Sequence, residues 1–166
     1  MRGELITIET KRMRIVEMPK DGNCFFSCFS KFRFGSTEYH KEVRTEMVNE
    51  ILDSWERPIS KRHEKSYKEF FKQYKNKEMN KKMFKEIYMK TESRTGKTDH
   101  WGGSNFYHAA CNLSEINLNV ITETSDNNLE KREVTADKYT PIQGEAKVTC
   151  YILFRNSNHF DLVEIQ

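Results

Sequence analysis

The 166-residue chain has no apolar run approaching the roughly 18–20 residues that a membrane-spanning helix needs. Its opening, Met1–Thr10, lacks the apolar block of a secretory leader, so the expectation is a chain that is neither membrane-spanning nor secreted. Cysteine is scarce: Cys24, Cys28, Cys111 and Cys150 are too few and too scattered for a disulfide framework and suit free thiols in a reducing cytosol. There is no paired CxxC motif. Cys24 and Cys28 lack the second ligand pair of a structural zinc site, so no metal is expected. Charge is nearly balanced, with 28 Lys+Arg against 25 Asp+Glu, and a net +3 names no partner by itself. Internal repeats and low-complexity linkers are absent as well. What the chain does have is aromatic area: 11 Phe, 7 Tyr and 2 Trp, enough to fill a core despite a mean hydropathy of −0.84. The length suits one domain, residues 1–166, that buries about 70% of its unfolded surface without disulfides or a structural metal.

Periodicity divides the chain into helices first and strands later. Met13–Met18 is a short apolar run ending at Pro19, which predicts a strand and then a turn at Lys20-Asp21-Gly22. A helix then starts near Asn23 or Cys24, carries Phe25, Cys28, Phe29 and Phe32 at helical spacing, and stops at Gly35. Ser36-Thr37-Glu38 can cap a second helix through Tyr39, Val43, Met47, Val48, Ile51, Leu52 and Trp55, ending before Pro58. Tyr67, Phe70, Phe71 and Tyr74 mark a third, and Met83, Phe84, Ile87 and Tyr88 a fourth. Thr91–Asp99 reads as a polar loop, Gly103–Leu113 as a helix and Ile116–Ile121 as an alternating strand. Thr124–Asn128 is a connection, Ala146–Phe154 a strand apolar on both faces, and His159–Ile165 the last strand. The expected class is α+β, with a small mixed sheet, built mainly from the C-terminal third, packed against helices.

Two segments carry residues suited to chemistry. In Asp21-Gly22-Asn23-Cys24-Phe25-Phe26 a cysteine sits where a tight turn becomes a helix, so backbone N–H groups and the positive end of the dipole surround the sulfur. That setting favours thiolate, the nucleophilic form, and the same N–H groups could hold an oxyanion, with Gly22 relieving the turn. Taken alone, Cys24 also reads as a buried structural cysteine. In Asn158-His159-Phe160-Asp161, His159 and Asp161 are two apart on a strand and share one face, while Phe160 points to the other and anchors the strand. A carboxylate there can fix the imidazole tautomer and leave the other ring nitrogen for the sulfur. Taken alone, this too reads as an ordinary surface pair.

Together these segments, with Trp101-Gly102-Gly103 between them, resemble in residues and order the motif set of the ovarian tumour (OTU) family of cysteine deubiquitinases. The resemblance runs from Asp21 to Asp161. It implies an OTU-like cysteine protease fold with Cys24 as nucleophile, His159 as general base and acid, and Asp161 orienting His159. Asp21 would help form the oxyanion hole through its backbone N–H beside that of Cys24. Trp101, Gly102 and Gly103 would border the cleft that receives the ubiquitin tail, and Asn158 would join them in substrate binding. The alternative for Trp101 is a core tryptophan whose glycines break the loop. The implied partner is ubiquitin or polyubiquitin chains, with ubiquitin-like modifiers a further class, and the implied state is a monomer that needs no cofactor. Length and the His-Phe-Asp ending are similar to viral OTU domains at the front of nairoviral polymerases, which would place the chain in a host cytosol. The segment from Arg57 to His100 matches no motif of the family.

Two rival readings belong to other classes. One keeps the fold as a catalytically inactive ubiquitin-binding module. The other takes Lys61–Lys90, where basic residues outnumber acidic ones by about 11 to 4 among interleaved aromatics, as a nucleic-acid-binding face. Helical spacing of those aromatics argues instead for a core-facing stripe with a solvated basic back.

Overall fold

Met13 and Ile15 alternate with exposed residues along β2 (Lys11–Val16), the second strand of a six-stranded mixed sheet. The computed structural model describes residues 5–8, 11–60, 65–75, 79–89, 102–125, 132–155 and 159–165. In it the sheet runs β1 (Leu5–Ile8), β2, β6 (His159–Ile165), β5 (Thr149–Arg155), β3 (Asn117–Ser125) and β4 (Arg132–Tyr139). Neighbours are antiparallel except for β3 and β5, which are parallel. The class is the expected α+β, a mixed sheet packed against helices.

Helix α1 (Cys24–Phe34) packs on β6 and ends at Gly35, whose φ of +74° gives a left-handed stop and whose N–H donates to Lys31 O. Ser36 caps a 3-10 turn, Thr37–Tyr39, by accepting from the Glu38 N–H, and α2 (His40–Asp53) follows from that turn. Helices α3 (Tyr67–Lys75), α4 (Lys81–Tyr88) and α5 (Tyr107–Ser114) follow among the described residues. Asn80 caps α4 by accepting from Met83 N–H at 2.8 Å. Trp55, Phe71, Phe84, Tyr88 and Phe106 form one buried aromatic group, with Phe71 and Phe84 centroids 4.6 Å apart. The described aromatics of the basic segment therefore point inward, and Lys68, Lys72, Lys81, Lys82 and Lys85 lie outside. Among the described residues no helix is long and apolar enough to cross a membrane.

Alternation along the strands gives the sheet two apolar faces. Leu118, Val120, Cys150, Ile152, Phe160 and Leu162 join the helical core, whereas Met13, Ile15, Ile121, Leu153 and Val163 form a second cluster. β5 is apolar on both faces because it is central, between β3 and β6.

The structure departs from the sequence reading at the sheet margins. β1 and β4 were not expected; both are edge strands, and β4, whose residues 135–138 are all exposed, lacks the alternation that a half-buried strand shows. β3 continues through Thr122–Ser125 because those polar residues pair with β4. The strand read at Ala146–Phe154 starts only at Thr149: the Asn117 side chain accepts from Ala146 N–H and donates to Ala146 O, both at 2.8 Å, and so takes the groups a ladder would use. The helix read from Gly103 starts at Tyr107, after a 3-10 turn, Ser104–Phe106. The polar loop read at Thr91–Asp99 lies outside the described residues.

Buried thiols and phenols make the fold sensitive to alkali. Burial holds Cys28, Cys111 and Cys150 protonated, with the Cys111 thiol pushed up to about 12, and it raises the Tyr67 and Tyr107 phenols too. An unfolded thiol ionises near about 8.5. A group with a raised native pKa adds stability below its unfolded value, and that stability is lost as pH climbs past it. Urea unfolding is expected to give a flat free energy up to about pH 8 and a progressive fall by about pH 10. A free energy that stays level or rises over that interval would contradict this.

Candidate active site

The turn before α1 is shaped by short-range bonding. Gly22 has a φ of +82°, which a side chain disfavours, and Asn23 N–H donates to Asp21 Oδ1 at 3.0 Å. Asn23 occupies the N-cap position, and its carbonyl accepts the first helical bond, from Ser27 N–H at 2.9 Å. Its side chain makes no cap; Oδ1 accepts instead from Arg44 Nη2 at 2.9 Å.

Cys24 is the first residue of α1 and only 6% exposed. The backbone of Phe160 and of Phe25 acts on its sulfur, which therefore lies beside β6 at the residue between His159 and Asp161. Burial pushes the thiol above its ordinary value, helped by the charges of Asp21 and Asp161, and the two backbone groups only partly offset this. Against the thiolate that the helix terminus favours, desolvation by burial acts in the opposite direction.

His159 and Asp161 share a face of β6, opposite to Phe160, which packs against Phe25 with ring centroids 5.3 Å apart. His159 Nε2 lies 2.8 Å from Asp161 Oδ1, and the same oxygen accepts from Met18 N–H at 2.8 Å. Asp161 Oδ2 faces Arg155 Nη1 at 3.6 Å, and Arg155 Nε lies 3.3 Å from Glu123 Oε2. The carboxylate, 2% exposed, is therefore held by His159, Met18 and Arg155. With an Nε2–H donating to Asp161, the neutral ring carries its lone pair on Nδ1, and that nitrogen is the one able to take a proton.

Gly102 packs against the start of α1. A Cβ there would lie 2.7 Å from Phe25 Cδ2 and 2.8 Å from Phe26 Cε2 and Cζ, so only glycine lets this segment approach the two residues after Cys24. A Cβ on Gly103 would meet Phe160 Cε2 at 3.7 Å, an ordinary contact. Gly102→Ala is expected to cost about 1–3 kcal/mol of stability by overpacking buried rings, and Gly103→Ala about 0.5 kcal/mol or less. Urea titration of the two variants checks the order; the reverse order would contradict the packing.

Gly102 and Gly103 thus meet Phe25, Phe26 and Phe160 next to Cys24, while His159 and Asp161 flank Phe160 on β6 with their side chains on the strand's other face. Trp101 and Asn158 lie outside the described residues. Among the described residues no group of three or more His, Cys, Asp or Glu could hold a metal ion. Sequence reasoning missed Met18, Arg155 and Arg44. A backbone N–H supplied from β2's end leaves no sequence signal. Arg44 does leave one, since Arg44, Met47, Val48 and Ile51 keep i, i+3, i+4, i+7 spacing and all four are buried.

A family model described as "Vertnin, OTU domain" matches residues 16–154, and the chain belongs to this OTU domain family. The match includes Asp21, Cys24, Gly102 and Gly103 and stops before His159 and Asp161. No curated protein sequence matches the chain. Among solved structures, the Hazara virus OTU bound to ubiquitin is similar with a TM-score of 0.68 at 16% identity, covering 99% of this chain and 87% of that one. The viral OTU domain protease from Taggert virus gives a TM-score of 0.66 at 14% identity, with 99% and 86% covered. The OTU domain of OTUD1 gives 0.64 at 18% identity, with 92% and 85% covered. Similarity at these identities is similarity of fold.

Proposed function

We propose that the chain is a cysteine-type deubiquitinase, a single catalytic domain acting as a monomer in a reducing compartment. It would hydrolyse the isopeptide bond after the C-terminal glycine of ubiquitin. The observation that carries this reading is Cys24 at the start of a helix that packs on β6, the strand whose His159 and Asp161 are themselves bonded at 2.8 Å. Membership of the OTU domain family and a fold shared with the ubiquitin-bound Hazara virus OTU support it.

In this mechanism the Cys24 thiol passes its proton to His159 Nδ1 as the sulfur attacks the glycine carbonyl. The S–C bond forms, the carbonyl electrons move to oxygen, and the backbone N–H groups of Asp21 and Cys24 meet the oxyanion. Collapse breaks the C–N bond, and His159 gives its proton to the departing lysine amine. Water, deprotonated by His159, then cleaves the thioester and restores the thiol. Asp161 holds the ring throughout. Trp101, Gly102, Gly103 and Asn158 would line the path of the ubiquitin tail, where close backbone approach suits a Gly-Gly end. Ubiquitin-like modifiers with the same end are a further substrate class.

The burial of Cys24 favours one second reading, a module of the same fold that binds ubiquitin without cleaving it. Incubation of the native chain with a panel of linkage-defined diubiquitins separates the two. Release of monoubiquitin from at least one linkage is the expected result; binding to all with cleavage of none would leave the second reading.

A further inference from the structure

A buried arginine stands behind the turn that carries Cys24. Arg44, on α2, is fully enclosed, and burial lowers its guanidinium only to about 10, so the group is charged at neutral pH. Its two terminal nitrogens diverge: Nη2 donates to Asn23 Oδ1 and Nη1 donates to Tyr88 O, each at 2.9 Å. The guanidinium carbon lies 4.1 Å from the centroid of the Phe26 ring. Tyr88 in turn accepts at its hydroxyl from Asn105 Nδ2 at 3.1 Å, and Asn105 is two residues past Gly103. One side chain therefore joins the turn before the nucleophile to the helix whose tyrosine steadies the glycine wall.

The bond to Asn23 has a second consequence. Asparagine at an N-cap ordinarily accepts from N–H groups of the first turn. Here Arg44 takes that oxygen, and the first-turn N–H groups keep no side-chain cap.

We propose that Arg44 is a positioning residue of this site: through Asn23 it fixes the turn from Asp21 to Cys24, whose N–H groups meet the oxyanion, and keeps the Asn23 amide off the helix end. The proposal rests on the deubiquitinase reading above. A fork of two N–H donors is needed, because Asn23 Oδ1 and Tyr88 O lie on different prongs and a lysine ammonium cannot serve both.

The test uses Arg44→Lys, Asn23→Ala and the double variant, with kcat and KM for a fluorogenic ubiquitin C-terminal amide counted per folded protein. Alkylation of Cys24 by iodoacetamide, which passes through no oxyanion, is measured alongside. Each single variant is expected to lose about 10- to 100-fold in kcat with KM little changed, and alkylation should stay within about threefold. The double variant should be no worse than the weaker single, since both break one connection. Wild-type kcat in Arg44→Lys, losses that multiply in the double variant, or alkylation falling in step with kcat would each overturn the proposal. A wild-type chain with no activity on ubiquitin overturns the parent reading instead. Deuterium uptake over residues 20–26 then decides the positioning claim: faster uptake in both single variants upholds it, and unchanged uptake ends it.

Discussion

Cys24→Ala is expected to abolish cleavage of ubiquitin amides and chains, with kcat falling at least about 10³-fold, because Cys24 is the group that forms the acyl intermediate. Cys28, one turn along α1, is fully buried, and its thiol is raised well above the ordinary value, so it offers no substitute nucleophile. The fold should survive. Replacing a thiol by a methyl removes one atom from a packed site, at about 1 kcal/mol, and leaves the Phe25, Phe26 and Phe160 contacts in place. Ubiquitin binding measured by titration should accordingly persist in the variant while turnover disappears. Turnover within about tenfold of wild type, in protein whose unfolding curve is unchanged, would remove Cys24 from the mechanism.

The second large effect is expected at Asp161. Its Oδ1 accepts from both His159 and the Met18 N–H, and its Oδ2 faces Arg155, so one truncation disturbs catalysis and folding together. Asp161→Ala should lower kcat by about 10²-fold or more, because the His159 ring loses the acceptor that sets its tautomer and orientation. It should also cost about 2–3 kcal/mol of stability, since the Met18 N–H is left buried without its acceptor and Arg155 loses an acidic neighbour. Asp161→Asn separates the two effects. An amide oxygen can still accept from one of the N–H donors, so most of the stability should return while kcat stays well below wild type. Equal kcat in Asp161→Asn and wild type would show that the carboxylate charge plays no part.

How much of this could be read before the structure follows from the range of the interactions involved. The meeting of His159 with Asp161 was legible because period two alone places i and i+2 on one face. α1 was legible from its aromatic spacing and its Gly35 stop. The edge strands β1 and β4 were not, since an edge strand needs neither alternation nor strong apolar content and is defined by its neighbour. The burial of Cys24 could not be read either: a helix end argues for thiolate, and only the packing around the residue shows desolvation acting in the opposite direction. Arg44 is the instructive case. Its spacing put it among Met47, Val48 and Ile51, yet a charged residue is rarely taken for core unless a partner is in view, and Asn23 lies 21 positions away.

The most direct measurement is the intact mass of the chain after incubation with ubiquitin bearing an electrophile at its C-terminus, followed by peptide mapping of the adduct. The account requires one added ubiquitin, attached at Cys24 and lost in Cys24→Ala. No adduct under conditions where a known deubiquitinase reacts, or an adduct on Cys28, Cys111 or Cys150, would contradict it.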